Sequence, residues 1–502
     1  MRLKHSLAYG ALLGAALSAA GQASAAQNAD LSSLLAQQQQ QIQQLQQQLQ
    51  NLQQTVKQEQ TQRAAAPAPA APAAAVASDA PKIVQTPTNR FYLSTADGQN
   101  TIGLTGRLHL DAGDYISVRP ANKAAGVQDL SSGFNARRAR IGVTGKVLGD
   151  WGYTFIYDAG NSQDNSPKGI QTAQIAYNGF KNTAIEFGYS DTYFTLDEST
   201  SSNDILFMER ASPNQIAVNI AAGDFRSNAG VRNWDDRYWV GVYGTGPAQG
   251  QAHAQTAEQF GTIERATYQV LTGADYSVHV GADFEQLLKA PNSGINTANA
   301  LSLSDAPELR VDNTSLLSTG SLGTIANPLT GAEVYNLEFA AEYRNLFFQG
   351  EYTHFDIDRR GLDQASFDGG YGEIAWTLTG EQHKYNPSAG AYGSIIPDHP
   401  VSLSTGGWGA WEVAARVSYI NLVDNFIEGR SISGQPSAVD GGKQTNFTLG
   451  LNWYVNSNMR YMINYVHGSF DKSNPTAVAG APLGAQIGTD FDAIAIRAQV
   501  AF

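Results

Sequence analysis

Arg138 and Arg140 stand two residues apart in a stretch where Ile141 and Val143 occupy the opposite parity. In an extended strand successive side chains point to opposite faces, so both guanidiniums project from one face. Side by side, they can offer an anion several N–H donors without stripping it fully of water. They can equally neutralise carboxylates such as Asp111. Arg210, Arg226 and Arg232 form a second set of cations on or just after a long connection, where an arginine acts either as an anion ligand or as a brace in a salt bridge. Lys384, in another long connection, is a further candidate contact. Carboxylates share these surfaces. Glu412 and Arg416 stand four apart, as do Glu338 and Glu342, so pairing with the arginines and a bias towards cations both stay open.

Other chemistries find little purchase. Past His5 the seven histidines fall singly, at positions 109, 253, 279, 354, 383, 399 and 467, without metal-ligand spacing, and no Gly-x-Ser-x-Gly elbow occurs. There are no cysteines, which rules out thiolate metal sites and a disulfide framework. No catalytic residue, metal or cofactor is implied. The formal charge of −13 argues against nucleic acid as a partner.

Several kinds of element position these residues. Arg2, Lys4 and His5 precede an apolar run from Leu7 to Ala20 and the small-residue site Ala23-Ser24-Ala25, the pattern of a signal peptide over residues 1–25. Cleavage there removes two basic residues and no acid, leaving the mature chain more acidic still. Leu35, Ile42, Leu49 and Val56 then recur every seven residues, with Leu31, Leu45 and Leu52 at the complementary seam and Gln38 intruding. That spacing predicts a coiled-coil helix within residues 27–62. Residues 63–90 hold an Ala/Pro-rich linker, an extended spacer with no core-forming capacity.

From Thr101 onwards the hydrophobic period becomes two. Ile102, Leu104, Leu108 and Leu110 alternate with Thr101, Arg107, His109 and Asp111; Phe447, Leu449, Leu451 and Trp453 alternate with Asn446, Thr448 and Asn452. A soluble sandwich also alternates, so other features must decide. Short connections (Gly149-Asp150, Asn178 to Thr183, Asn233 to Arg237, Val455 to Asn458) alternate with long ones (Thr192 to Arg226, Gln286 to Gly331). Aromatics gather at strand ends, and the last strand closes on Phe502. These are features of a membrane barrel, whose apolar face meets lipid and whose polar face lines water. The expected fold is all-β: a 16-stranded antiparallel transmembrane β-barrel over residues 91–502, preceded by the coiled-coil helix. With that strand count the segment from Gly380 to Gly409 falls on the side of short turns, and its length implies that it folds into the lumen.

The segments Phe134 to Val143 (FNARRARIGV), Gly149 to Tyr153 (GDWGY), Phe207 to Arg210 (FMER), Leu378 to Glu381 (LTGE), Gly409 to Arg416 (GAWEVAAR) and Thr448 to Tyr454 (TLGLNWY) resemble the phosphate-selective porin O and P family. The resemblance implies a homotrimeric channel in the bacterial outer membrane, surrounded by outer-membrane lipid. Its inward-folded loops and one periplasmic turn would line a path for small anions, phosphate or organic anions, with Arg and Lys. One departure matters: Asp191 stands where the family's third-loop motif carries a Lys. A general or cation-preferring porin is the alternative, as is a periplasmic tether to the cell wall through the coiled coil.

Overall fold

The computed structural model describes residues 80–86, 91–122, 130–160, 169–223, 226–248, 256–294, 296–476 and 481–502, together with Gln44, Gln47, Gln48, Gln50, Asn51, Gln54 and Lys57. The chain divides into two units, Met1–Val76 and Ala77–Phe502. In the first, the seven described residues are helical. The signal peptide, the heptad seam from Leu31 to Val56 and the spacer up to residue 79 lie outside the described residues.

Sixteen antiparallel strands build the second unit: β1 (Thr101–Pro120), β2 (Gly133–Val147), β3 (Trp151–Asp158), β4 (Gly169–Tyr177), β5 (Thr183–Ser190), β6 (Arg226–Trp234), β7 (Tyr238–Ala248), β8 (Phe260–Thr272), β9 (Tyr276–Lys289), β10 (Leu329–Tyr343), β11 (Leu346–Arg359), β12 (Ala365–Thr377), β13 (Ala410–Asp424), β14 (Val439–Tyr454), β15 (Met459–Asp471) and β16 (Thr489–Ala501). Each pairs with its neighbour in sequence, and β16 closes on β1 from Thr489↔Pro120 to Ala501↔Arg107. Closure leaves no long edge unpaired, the condition for strands in a bilayer. Below Arg107, where β16 ends, a hairpin of Lys82–Gln85 and Phe91–Ser94 pairs with Thr101–Gly103 and continues the sheet. Phe502 exchanges both backbone hydrogen bonds with Gly106, at 2.8 and 3.0 Å. Its ring lies so close over Gly106 that a Cβ there would meet it at 2.6 Å.

The alternation resolves as expected on the outside. Leu104, Phe134, Ile141, Phe187, Leu337 and Val417 are all exposed on the outer wall. So continuous a greasy band is foreign to a soluble surface and suits lipid. At the lower end, which carries Thr101 and Ala501, aromatics ring the wall: Tyr276 pairs with Tyr343, and Trp411, Trp453 and Tyr461 stack at 5.3 and 5.6 Å.

The inside departs from simple alternation. Inward positions of β8 to β13 include Ile263, Leu287, Val334, Phe355, Phe367 and Ile420, all buried. These apolar patches are covered by the connection from β5 to β6, loop 3, which carries helices α1 (Leu196–Ser199) and α2 (Ser212–Ala221). Phe194, Met208, Ile216, Val218 and Ile220 of loop 3 join that core, with Leu303, Leu309 and Leu317 from the connection between β9 and β10. Each such side chain, once buried, contributes about 1.5–3 kcal/mol before entropy is counted. The apolar side of the loop is thus packed onto β8 to β13, and its polar side meets β1 and β2, where Arg107 donates to Ser202 and His109 lies 3.0 Å from Asn203.

Candidate functional site: a charged neck between two lumenal cavities

Two regions narrow the lumen. Loop 3 is one; the other is the connection from β12 to β13, which rises from the lower end as the sequence implied. Its short ribbon of Tyr385–Asn386 and Ala391–Tyr392 sits inside the barrel, in one apolar cluster with Leu196, Phe207 and Phe347. Arg265 fixes it from the wall by donating to the carbonyls of Ala389 (2.9 Å) and Gly390 (2.8 Å), while Glu338 takes the rest of that guanidinium at 2.7 and 3.0 Å. Trp239 Nε1 donates to the Ser388 carbonyl at 3.0 Å.

His383 pins the base of this turn. Its Nδ1 lies 2.9 Å from the Gly393 carbonyl and its Nε2 2.7 Å from Glu412 Oε1, and its backbone N–H donates to Glu342. Both ring nitrogens face acceptors, so both bonds form together only in the imidazolium. Burial opposes that charge, yet Glu412, the Gly393 carbonyl and Glu342 outweigh it and raise the His383 pKa above the usual value.

Loop 3 is held by arginines. At the β1–β2 pairing the register slips, His109 facing Arg138 while Leu110 faces Ala136. Arg137 is the extra residue of this bulge, so it turns inwards beside Arg138 although strict alternation sends it to lipid. It grips Glu209 of loop 3 with Nε at 2.8 Å and Nη2 at 2.9 Å. Arg497 of β16 binds Asp111 (2.7 and 2.6 Å) and reaches Glu209 at 3.0 Å. Burial pushes the Glu209 carboxyl up, but the two guanidiniums outweigh it and hold it well below the usual carboxylate range. Arg416 donates to the Glu209 carbonyl (2.9 Å), and Arg460 to that of Ile205 (2.8 Å).

Between the wall of β1 to β5, loop 3 and the turn lies a cavity of about 340 Å³. Arg107, Arg138 and Arg140 line it from β1 and β2; Gln171 and Gln174 follow on β4; Glu186 stands on β5, and Asp191, Glu198 and Asp204 enter from loop 3. A second cavity of about 460 Å³ continues to the lower end, past Arg460 and the Asn456 to Met459 turn. The two share Arg107, Ser201, Asp204, Asn386 and Gly393, which form the neck between them.

The sequence candidates divide. Arg138 and Arg140 are brought together on the cavity wall, Arg140 also binding Asp158 at 2.8 Å. Asp111, the other partner considered for them, goes to Arg497. Arg210 lines the cavity, but its guanidinium is tied to Glu198 (2.6 Å) and to the carbonyls of Asp197 and Thr200. Arg226 braces the loop end through the Ala222 and Gly246 carbonyls and lines neither cavity. Arg232 pairs with Glu186 at 3.1 Å, donates to Ser388 of the turn and lies over the Tyr193 and Trp234 rings. Lys384 is exposed and also lines neither cavity. These four fill bracing or outlying positions. Arg107 and Arg460 are lining cations that sequence reasoning passed over, and Arg107 stands directly across from Arg140, a register that no single strand reveals.

The profile of the phosphate-selective porin O and P family matches residues 102–502. Porin O of Pseudomonas aeruginosa is 24% identical over 415 residues, 79% of this chain and 89% of that one. An uncharacterized protein of Caulobacter vibrioides is 25% identical over 382 residues, 73% of this chain and 68% of the other. Among solved structures, OmpT of Vibrio cholerae superposes with a TM-score of 0.46 at 12% identity, over 80% of this chain and 98% of that one. The profile match runs from the first strand of the barrel to its final aromatic residue, and so the chain belongs to the phosphate-selective porin O and P family and is a porin of the bacterial outer membrane.

Proposed function

We propose that the chain is a passive diffusion channel for small anions, phosphate or organic anions among them. The observation that carries this reading is the row of Arg107, Arg138 and Arg140 along one wall of the cavity, with Arg107 directly opposite Arg140 in the β1–β2 ladder. Asp158 takes part of the Arg140 guanidinium, and an anion lodged against the row gains N–H donors in place of part of its water. Conduction also needs the ion to leave, and the carboxylates of the same cavity weaken its hold.

The test is the reversal potential in a salt gradient. Arg138→Gln with Arg140→Gln should move it towards cation selectivity, and added phosphate should block chloride current less in the variant than in the parent. A parent that already selects cations, with a double variant that behaves identically, sinks the reading. In that event the general, cation-preferring porin takes its place, a reading that Asp191, Asp204 and Glu198 on the cavity wall favour.

The proposed assembly is a homotrimer in outer-membrane lipid, with the heptads of residues 27–62 in the periplasm. Extracted in mild detergent, the protein should run at three times the monomer mass, and deletion of Leu31 to Val56 should weaken the trimer while leaving the barrel closed. A monomer with the heptads intact counts against it. A tether to the cell wall through the coiled coil is separable by liposome swelling, because a pure tether passes no solute.

A further inference from the structure

The connection between β9 and β10, loop 5, crosses the lumen. It leaves β9 at Lys289 and returns to β10 at Leu329, eight strands away from β1 and β2 in a closed ring of sixteen, and so starts from the opposite wall. Its stem is a short ribbon in which Ser304 pairs with Ser318 and Asp305 with Leu317. Its tip nevertheless lies on β1 and β2. Asn135 of β2 donates to the Arg310 carbonyl at 2.6 Å, and the Ser131 N–H, just before β2, donates to Asp312 at 2.6 Å. Val311 sits over Gly113, where a Cβ would meet its two methyls at 2.9 and 3.1 Å. Val311 to Thr314 are half-buried, so this latch is open to water on one side.

Between stem and tip stands Glu308, which is buried. Its carboxylate takes Arg416 of β13 at 2.6 Å, the Ser418 hydroxyl at 2.5 Å and the Ser212 N–H at 3.0 Å. Ser212 opens α2, and Ala211 before it makes no side-chain cap. A helix N-terminus leaves its first N–H groups without partners inside the helix, and a carboxylate is favoured there. Loop 5 thus supplies α2 with the cap that its own sequence omits. Arg416 carries the link further, since it also donates to the Glu209 carbonyl of loop 3 at 2.9 Å. From these contacts we infer that loop 5 positions loop 3. Glu308 is the positioning residue, and the latch of the tip on β1 and β2 holds it in place. Release of the tip lets Glu308 withdraw from α2, so the constriction loosens although no residue of loop 3 has changed. The inference rests on the channel reading above but not on the sign of the ion carried.

Single-channel recording in planar bilayers tests it. Asp312→Ala removes the acceptor of the Ser131 N–H and should make excursions between conductance levels about tenfold more frequent than in the parent, the weight of one partly exposed hydrogen bond to a charged group. The chain has no cysteine, and a Cβ at Gly113 would stand close enough to position 311 for a disulfide. Gly113→Cys with Val311→Cys, added to Asp312→Ala, should therefore be quiet when oxidised and flicker again under dithiothreitol. Glu308→Gln should flicker as well, and the oxidised pair should leave that flicker in place, because what is lost there is the link from loop 5 to α2. If Asp312→Ala fails to assemble, Asn135→Ala removes the other hydrogen bond of the tip and gives the same reading. A latch variant as quiet as the parent, a flicker in it that the disulfide leaves untouched, or a Glu308→Gln flicker that the disulfide removes overturns the inference. The anion reading is judged separately, by the reversal potential of the Arg138/Arg140 variant, so either can fail without the other.

Discussion

Replacing Glu209 by Gln tests what holds loop 3 in the lumen. The carboxylate is bidentate to Arg137 at 2.8 and 2.9 Å and takes Arg497 at 3.0 Å, all with side chains almost wholly buried. Gln keeps the shape and removes the charge. Breaking a buried ion pair from one side costs about 3–5 kcal/mol, because the abandoned partner stays buried with its charge. Arg497 retains Asp111, which places the loss at the lower end, about 3 kcal/mol, equivalent to roughly a hundredfold in a two-state ratio. The barrel itself does not depend on this clasp, since its strands satisfy one another. The cost therefore falls on docking, and departures of loop 3 from the wall should become about a hundredfold more frequent. Single-channel recordings in planar bilayers should show flickering between conductance levels that the parent lacks. The depressed Glu209 pKa adds a check on sign. Its contribution is complete above the ordinary Glu value of about 4.3 and disappears only as pH falls towards the lower folded value, so mild acid leaves the parent quiet. A variant that assembles normally and conducts as quietly as the parent refutes the reasoning.

Two further outcomes follow from the same contacts. His383 has a raised pKa, so its contribution to anchoring the turn is full below about 6.5 and is lost as pH rises through the folded value; alkaline buffer should loosen the turn and enlarge or destabilise the conductance, and His383→Gln should abolish that pH dependence. An unchanged pH profile in the variant would contradict the assignment to His383. Removing Phe502 deletes the ring over Gly106 and the two hydrogen bonds that end the β16–β1 seam, so the amount assembled in the membrane should fall much further than the conductance of the channels that form; normal assembly would contradict this.

Why some of this was legible in the chain and some was not comes down to the range over which each signal acts. Side-chain alternation is local, so Ile494, Ile496 and Val500 against Arg497 and Gln499 could be read residue by residue, and the connections could be sorted by length. The strand count then placed the β12–β13 connection at the lower end, which is how its inward course was foreseen. Register is a relation between strands, and no strand carries it alone. Arg107 opposite Arg140 and the bulge that turns Arg137 inwards both arise there. The covered half of the lumen did leave a trace: β11 and β12 carry apolar residues on both faces, with Phe347, Phe355 and Ile357 inward while Leu346, Phe348 and Tyr352 face out. A strand greasy on both faces must be buried on both, and in a barrel the inner cover can only be an inward loop.

The fate of the loop arginines follows from the same geometry. A loop that lies in a lumen carries backbone carbonyls and its own carboxylates into a space lined by wall cations, and each brought near an arginine lowers that arginine's value as a ligand. Arg210 is consumed in this way by Glu198 and Arg226 by the Ala222 and Gly246 carbonyls, while Arg232 on β6 pairs with Glu186 of β5 and donates to the Ser388 carbonyl of the turn. Arg107 and Arg138 of β1 and β2 keep a face on the cavity, while Arg107 also donates to Ser202 of loop 3. Which arginines keep a face on the lumenal cavity is thus set less by which strand bears them than by where the loop docks, and here the apolar inner faces of β8 to β13 fix that docking.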